Sequence, residues 1–167
     1  MPTQDSVTTD RYKLVFETSN DAIMLLDEKG FFDCNPATLK IFGYRSKEEF
    51  CGKTPADHSP PTQPDGNDSM TLAKKQIAEA YQKGSNSFEW IHRRSTGEDF
   101  PAEVLLTAFS LDGKKVIQAT VRDISEREQK NDELKKMNKL MMGRELKMIE
   151  LKNKITELEA KENYNGK

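Results

Sequence analysis

Apolar and polar residues alternate with two different periods along this chain, and the changes of period divide it into elements. DAIMLLD and FFDCN are short apolar runs on either side of the turn DEKG, which predicts a β-hairpin with Gly30 in its turn. Residues 1–9 show no period and are expected to be disordered. Asp10 is placed to cap a short helix that precedes the hairpin.

A helical insert follows the hairpin. Asn35 and Pro36 supply an N-cap and a first-turn proline to the segment NPATLKIFGY, which predicts a short helix. Ser46 and Glu49 have capping-box spacing for a second one. After the irregular stretch KTPADHSPPTQPDGND, apolar residues at helical spacing predict a longer helix from about residue 69 to 83.

Three further strands are predicted in SFEWIHRR, FPAEVLLTAFS and KVIQATVRD, joined by short turns that favour antiparallel pairing. Two strands, a helical insert and three strands indicate an α+β fold, in which an antiparallel sheet carries helices on one face. Leu105 and Phe109 fall on the opposite face, where we expect the first helix or a partner subunit to cover them.

The residues predicted to face the helices enclose a candidate ligand pocket. Its predicted lining is Ile23, Leu25, Ala37, Phe42, Ile77, Trp90, His92, Val104, Leu106, Ile117, Ala119 and Val121. The imidazole of His92 could bond a ligand or coordinate haem iron, and a buried histidine bonded to a neighbour is the alternative. His58 lies in the irregular stretch, where an exposed histidine without a role is expected.

The last predicted strand leads directly into a long charged segment through Asp123, Ile124 and Ser125. Ser125 is a good N-cap, and Glu128 lies three residues later, which predicts a capping box and a helix start without a flexible linker. We therefore interpret these four residues as a relay from the sheet to the helix.

Apolar residues recur at alternating steps of three and four in the segment 126–162, with Arg144 as the polar exception. This seam consists of Leu134, Met137, Met141, Met148, Leu151, Ile155 and Leu158. The period of 3.5 residues predicts a parallel dimeric coiled coil of about four heptads. The alternative is an amphipathic helix that folds back on its own domain. Residues 163–167 are expected to be a disordered tail.

Composition excludes several functions. The chain has 167 residues, enough for one domain and an extension, and its formal net charge of −2 offers no footprint for nucleic acid or an anionic membrane. Cys34 and Cys51 lack metal or redox spacing, which favours a reducing cytoplasm. The sequence contains no recognisable metal site, acid/base pair, phosphate loop or nucleophile motif, so we do not expect an enzyme. Neither histidine lies in the long helix, so that helix has no phosphoacceptor.

The segments LVFETSNDAIMLLDEKGFFDCNPATLKIFGY, FEWIHRRSTGEDFPAEV and VRDIS together resemble the PAS domain family over residues 10–125. The resemblance implies a five-stranded antiparallel sheet in the order 2-1-5-4-3 with short helices over one face. It also implies a pocket between them that holds haem, flavin, a small metabolite or nothing. Asp123-Ile124-Ser125 resembles the Asp-Ile-Thr signature of the family, with Ser in place of Thr.

The resemblance further implies a sensory module of a signalling protein, of the two-component histidine kinase type, with a homodimeric helix and a downstream output domain as partners. Haem-binding relatives place a histidine on the internal helix, and flavin-photochemical relatives carry Asn-Cys-Arg-Phe-Leu-Gln. Neither feature occurs here, so haem and flavin are disfavoured and a transparent ligand or none is expected. The alternatives are a constitutive dimerisation module without a ligand and a haem- or other cofactor-based redox or gas sensor.

Overall fold

The computed structural model describes residues 4–165, and the side chains of residues 11–160. Two compact units, Met1–Ser125 and Glu126–Lys167, divide the chain. The helices are α1 (Gln4–Thr18), α2 (Pro36–Phe42), α3 (Lys47–Phe50), α4 (Ser69–Lys83) and α5 (Ser125–Asn165), with a 3₁₀ turn at Pro55–His58. The strands are β1 (Ala22–Asp27), β2 (Gly30–Cys34), β3 (Ser85–Arg93), β4 (Asp99–Leu111) and β5 (Lys114–Asp123).

The five strands form one antiparallel sheet in the order β2-β1-β5-β4-β3. This confirms the predicted α+β fold and the strand order that the resemblance implied. The sheet is covered on one face, because α2, α4 and the 3₁₀ turn pack there and bury inward-facing residues of every strand.

The two faces of the sheet follow from its register. Met24 pairs with Ala119, and Leu106 pairs with the same Ala119, so all three point to the helices. Ile23 pairs with Thr120 and therefore lies on the other face, as does Leu25. The prediction that Ile23 and Leu25 line the pocket was wrong, because β1 is apolar on both faces and its buried residues are the even-numbered ones.

The cap of α2 also ties the first helix and strand to the insert. Asn35 is fully buried, and its Oδ1 accepts hydrogen bonds from the amides of Thr38 and Ile23, each at 3.0 Å. Its Nδ2 donates to the carbonyls of Phe16 at 3.1 Å and Asp21 at 3.0 Å. The predicted N-cap is thus confirmed, and it fills all of its hydrogen-bonding capacity with partners from α1 to α2.

The ends of the chain differ from the predicted bounds. Helix α1 begins at Gln4 and contains Asp10, so that residue is not its cap, and α5 continues to Asn165. Of the segments predicted to be disordered, residues 1–3 and 166–167 lie outside the described residues. No helix in the part of the chain that the structure describes has the length and apolar character needed to cross a membrane.

The outer face of the sheet carries apolar side chains that remain accessible. Leu105 is 44% exposed and Phe109 is 37% exposed, and Leu14 and Val15 of α1 are also exposed. The expected cover by α1 is therefore absent at Leu105 and Phe109. Cover by a partner subunit stays a prediction.

Candidate ligand cavity and strand-end joint

A small cavity lies between the inner face of the sheet, α4 and the 3₁₀ turn. Its volume is about 40 Å³. The lining residues are Met24, Leu26, Phe31, Pro55, Ala73, Ile77, Phe88, Trp90, His92, Val104, Leu106, Ala119 and Val121. These side chains are apolar except for the imidazole of His92 and the indole NH of Trp90, and the latter donates to Ser59 Oγ at 2.9 Å.

The cavity brings together many of the residues predicted for it. Those that line it are Ile77, Trp90, His92, Val104, Leu106, Ala119 and Val121. Phe42 and Ile117 are buried in the surrounding core instead, and Ala37 is half-buried on α2 outside the lining. The strands β3, β4 and β5 were thus oriented as the alternation predicted.

Several lining residues were missed, and the sequence holds a signal for those of β1. Asp21, Ile23, Leu25 and Asp27 share one parity, and the two aspartates that bracket the strand mark that face as the polar one. Met24 and Leu26 have the opposite parity, so this signal would have identified them as the inward-facing residues of β1. Pro55 carried no comparable signal, because it reaches the cavity from the irregular stretch between α3 and α4.

The irregular stretch is anchored along the edge strand β3, which buries His58. Ile91 donates its amide to Gln63 Oε1 at 2.9 Å and accepts from Gln63 Nε2 at 3.1 Å, as a neighbouring strand would. His92 Nδ1 lies 3.1 Å from the carbonyl oxygen of His58. The prediction that His58 is exposed was wrong, since only 1% of its surface is accessible. His58 is buried because hydrogen bonds hold the irregular stretch against β3, which lies about 30 residues further along the chain.

The two imidazoles lie in an aromatic cluster. His58 stacks on Phe50 with ring centroids 4.5 Å apart, and its Nδ1 is 3.3 Å from the hydroxyl of Tyr44. His92 meets Phe42 edge to face at 5.1 Å. Burial lowers the pKa of His58 to about 3 and that of His92 to about 4, because the apolar surroundings disfavour the charged ring. Both rings are therefore neutral at physiological pH.

Asp123 joins the end of β5 to the start of α5. Its Oδ1 accepts from the amide of Ser125 at 2.9 Å and from the Ser125 hydroxyl at 2.6 Å. Burial raises the pKa of Asp123, but hydrogen bonds from Ser125 and Arg94 outweigh burial and hold it below the usual value. Ile124 is buried, and its amide donates to the carbonyl of Pro101 at 3.0 Å.

This arrangement corrects the predicted role of Ser125. Ser125 is the first residue of α5 rather than its N-cap, and its hydroxyl bonds to Asp123. Asp123 satisfies a free amide at the helix start, because its side chain reaches two residues forward. Glu128 lies in the first turn of α5, and its part in a relay stays a prediction.

Arg94 holds the other oxygen of Asp123. Its Nη2 lies 2.6 Å from Asp123 Oδ2, its Nη1 donates to the carbonyl of Ile41, and its guanidinium lies 3.9 Å above the ring of Phe100. Arg94 follows the end of β3 and is only partly exposed, because its guanidinium is held by these partners. Its partners in α2 and β5 are far away in the sequence, so no local pattern marks it.

Phe100 connects the cavity wall with this ion pair. Its ring centroid is 5.7 Å from that of His92, which lines the cavity, and the guanidinium of Arg94 also lies over the Phe100 ring. Contacts therefore run without a break from His92 through Phe100 and Arg94 to Asp123. Asp123 is in turn bonded to Ser125, the first residue of α5.

The predicted seam lies on one continuous helix. Its residues Leu134, Met137, Met141, Met148, Leu151, Ile155 and Leu158 are all exposed, the most buried being Leu151 at 49%. An apolar stripe of this length in water is costly for an isolated helix. Arg144 occupies the middle position of the seam, and Gly143 precedes it.

The two thiols lie next to each other, and a side-chain hydrogen bond joins them. Cys34 is fully buried, and burial raises the pKa of its thiol to about 12. Burial also raises the pKa of Cys51. A thiol with a raised pKa is a poor nucleophile, because the thiolate is the reactive form. No group of three or more His, Cys, Asp or Glu side chains among the described residues could hold a metal ion.

Comparison with known proteins gives this architecture a family. The sequence profile of the PAS domain matches residues 20–126 of the chain. The chain belongs to the PAS domain family. Because this family consists of sensory modules, the chain is a signalling sensor module. No curated protein sequence matches it significantly.

Solved structures share the fold of this PAS domain. The PAS domain of a two-component sensor histidine kinase is 20% identical, with a TM-score of 0.58 over 72% of this chain and 99% of the other. The PAS domain of an HTR-like protein from Haloarcula marismortui is 24% identical, with a TM-score of 0.60 over 72% of this chain and 95% of the other. An RNA-binding light-oxygen-voltage receptor is 16% identical, with a TM-score of 0.63 over 84% of this chain and 41% of the other.

Proposed function

We propose that this PAS domain senses the state of its small cavity and relays it through Asp123 to a dimeric coiled coil formed by α5. The observation that carries this proposal is the contact route from His92 through Phe100 and Arg94 to Asp123. The output is a downstream domain or protein of the two-component type, of which a histidine kinase is one example. The solved relative from a sensor histidine kinase supports this choice of output.

The dimer is part of the same proposal. The exposed seam of α5 repeats every three and four residues, and pairing with a second copy would bury it. Two helices that share a seam respond to a small displacement at their start, because the register of the whole seam depends on it. The relay thus needs both the Arg94–Asp123 pair and the dimer.

The volume of the cavity supports a small transparent ligand over a large cofactor. About 40 Å³ is far below the roughly 300–1,000 Å³ of pockets that hold drug-sized molecules. Haem and flavin are of that larger class, and the side chains around the cavity would have to separate widely to admit either. The proposed ligand therefore has only a few heavy atoms.

The same volume favours a second candidate function, a constitutive dimerisation module whose core senses nothing. The volume of this cavity is close to that of an ordinary packing defect in a protein core. The two functions differ in one respect. Only the sensor changes the geometry of its dimeric helix when the cavity is filled.

A matched pair of substitutions in α4 tests the relay. Ala73 lines the cavity and Ala78 is exposed on the same helix, so Ala73→Val fills the cavity and Ala78→Val is its control. A spin label on Asn138→Cys, in a Cys51→Ala background, reports the distance between the two α5 helices by pulsed electron resonance. The buried Cys34 stays unlabelled.

We expect Ala73→Val to shift the interhelical distance, Ala78→Val to leave it unchanged, and Asp123→Ala to abolish the shift. If Ala73→Val leaves the distances unchanged in a stable dimer, the constitutive module is the better description. If no dimer forms, both candidate functions fail.

A further inference from the structure

Cys34 and Cys51 form a pair of adjacent thiols that the proposed relay does not use. A side-chain hydrogen bond joins the two thiols, although α2 and α3 separate them in the sequence. They are the two cysteines of the chain, so each is the other's only possible partner within one molecule. Two neighbouring thiols can be oxidised to a disulfide if their backbones already lie close enough to be bridged.

Backbone hydrogen bonds hold the two positions together independently of the thiols. Cys34 is the last residue of β2, and Cys51 directly follows α3. Within β2, Phe31 donates its amide to the carbonyl of Lys53 at 2.9 Å and accepts from the amide of Gly52 at 2.7 Å. The chain that leaves α3 is therefore fastened along β2, and this places Cys51 beside the strand that ends at Cys34.

A side-chain ion pair reinforces this contact from the other end of α3. Lys47 begins α3, and its Nζ lies 2.7 Å from Oδ1 of Asp33, the residue before Cys34. The same oxygen accepts from the amide of Cys34 at 2.8 Å. Both ends of α3 are thus bonded to β2, so the two thiols stay adjacent while the domain is folded.

The unequal burial of the two thiols determines which one meets an oxidant first. Cys34 is fully buried, whereas Cys51 is half-buried. Burial raises the pKa of both thiols, so the reactive thiolate is scarce and the reaction is slow. Such a pair responds to sustained oxidising conditions and not to a brief exposure.

We propose that Cys51 and Cys34 form a disulfide in the presence of a small-molecule disulfide such as oxidised glutathione, and that this bond clamps α2 and α3 against the sheet. The Cys51 thiolate attacks one sulfur of the oxidant, whose S–S bond breaks and releases one glutathione thiolate. Cys34 then attacks the Cys51 sulfur of this mixed disulfide and displaces the second glutathione. The two protein thiols lose two electrons, and their protons go to the two glutathione thiolates.

The clamped segment carries part of the core of the domain. Residues 34–51 include α2 and α3, whose Phe42 and Phe50 are fully buried. A disulfide between the ends of this segment also closes it in the unfolded chain, which lowers the entropy gained on unfolding. We therefore expect the oxidised protein to melt about 5 °C or more above the reduced protein.

The experiment treats the full chain with oxidised glutathione, removes the excess and determines the mass of the intact protein without reduction. We expect a product that has lost two hydrogen atoms, carries no glutathione and has no thiol left to alkylate after denaturation. Its melting temperature should rise and should return to the starting value after reduction. The rate should increase about tenfold per pH unit around neutral pH, because the thiolate fraction grows in that proportion below the pKa.

Two variants separate the pair from the individual thiols. Cys34→Ala leaves Cys51 without its partner, so the reaction should stop at the mixed disulfide and the mass should rise by one glutathione. Cys51→Ala leaves only the buried thiol, which should not react. Neither variant should gain melting temperature from the oxidant. If Cys34→Ala does not fold, the mass and the alkylation of the parent protein decide alone.

A parent protein that stays reduced, keeps glutathione bound or forms disulfides between chains overturns the proposal. Formation of the internal disulfide without a rise in melting temperature refutes the clamp. Neither result depends on whether α5 dimerises or whether the cavity takes up a ligand, so failure of the sensory role leaves this test unchanged.

Discussion

Nη2 of Arg94 lies 2.6 Å from Oδ2 of Asp123, and the other oxygen of the same carboxylate holds the first residue of α5. One side chain thus ties the turn after β3 to the helix start. Because Arg94 also bonds the carbonyl of Ile41 and covers Phe100, the pair connects the end of α2 to the end of the sheet. These contacts all converge on the carboxylate of Asp123 or on the guanidinium that holds it.

Asp123→Ala should leave the domain folded and lower its free energy of unfolding by about 1 kcal/mol, because Ser125 and Arg94 lose an acceptor that is partly exposed. Chemical denaturation measures the change. Arg93→Gln is the matched control, since the Arg93–Asp99 pair is more exposed, and its effect should be much smaller. Non-additive effects of Asp123→Ala and Arg94→Gln would show that the two residues interact. Simple additivity would refute the joint.

Stability should fall as the pH drops from about 6.5 to 4, because His58 and His92 have lowered pKa values in the folded state. In this window the unfolded chain binds protons that the folded one does not, so stability is complete above 6.5 and decreases below it. Each histidine contributes a slope of about 1.4 kcal/mol per pH unit. Denaturation at several pH values should show His92→Gln to have a shallower slope. An unchanged slope would mean that the ring is protonated in the folded protein.

Leu151→Asp should weaken the dimer by at least tenfold, because it places a charge in the apolar seam of the proposed coiled coil. Leu146→Asp is the control, since Leu146 is exposed on the same helix and lies off the seam. Sedimentation equilibrium of the full chain measures the dimer dissociation constant of both variants. The dimer would be excluded if the parent protein sediments as a monomer and its oligomeric state stays the same after truncation before Glu126.

Gly30→Ala should destabilise the domain by about 3 kcal/mol. Gly30 has a φ of +126°, and an added Cβ would lie 2.6 Å from the carbonyl oxygen of Lys53. That oxygen accepts from the amide of Phe31, so it cannot move away freely. At Gly66, φ is +81° and an added Cβ would meet nothing within 4 Å, so Gly66→Ala should cost about 1 kcal/mol. Thermal unfolding of both variants checks the difference, and equal losses would contradict the steric explanation.

The elements of the domain could be predicted because their signals are local. Asn35 with Pro36, Ser46 with Glu49, and the helical spacing after Asp68 mark helix starts within a few residues of sequence, and the structure confirms each helix. The alternation in β3, β4 and β5 also gave the correct inward face for Trp90 and Val104, because those strands carry polar residues on the other side.

The site was only partly predictable. Strand β1 is apolar on both faces, so its own pattern does not orient it, and the choice of Ile23 and Leu25 was wrong. His58 appeared exposed in the sequence because its burial comes from bonds between the irregular stretch and β3.

The sequence by itself determined the element order, the α+β class and the position of the long helix, because caps, turns and periods act over a few residues. The tertiary structure decided the cavity, the neutral state of both histidines and the partner of Asp123. Each of these depends on residues that are distant in the chain, such as Arg94 and Asp123, and packing alone brings them within bonding distance.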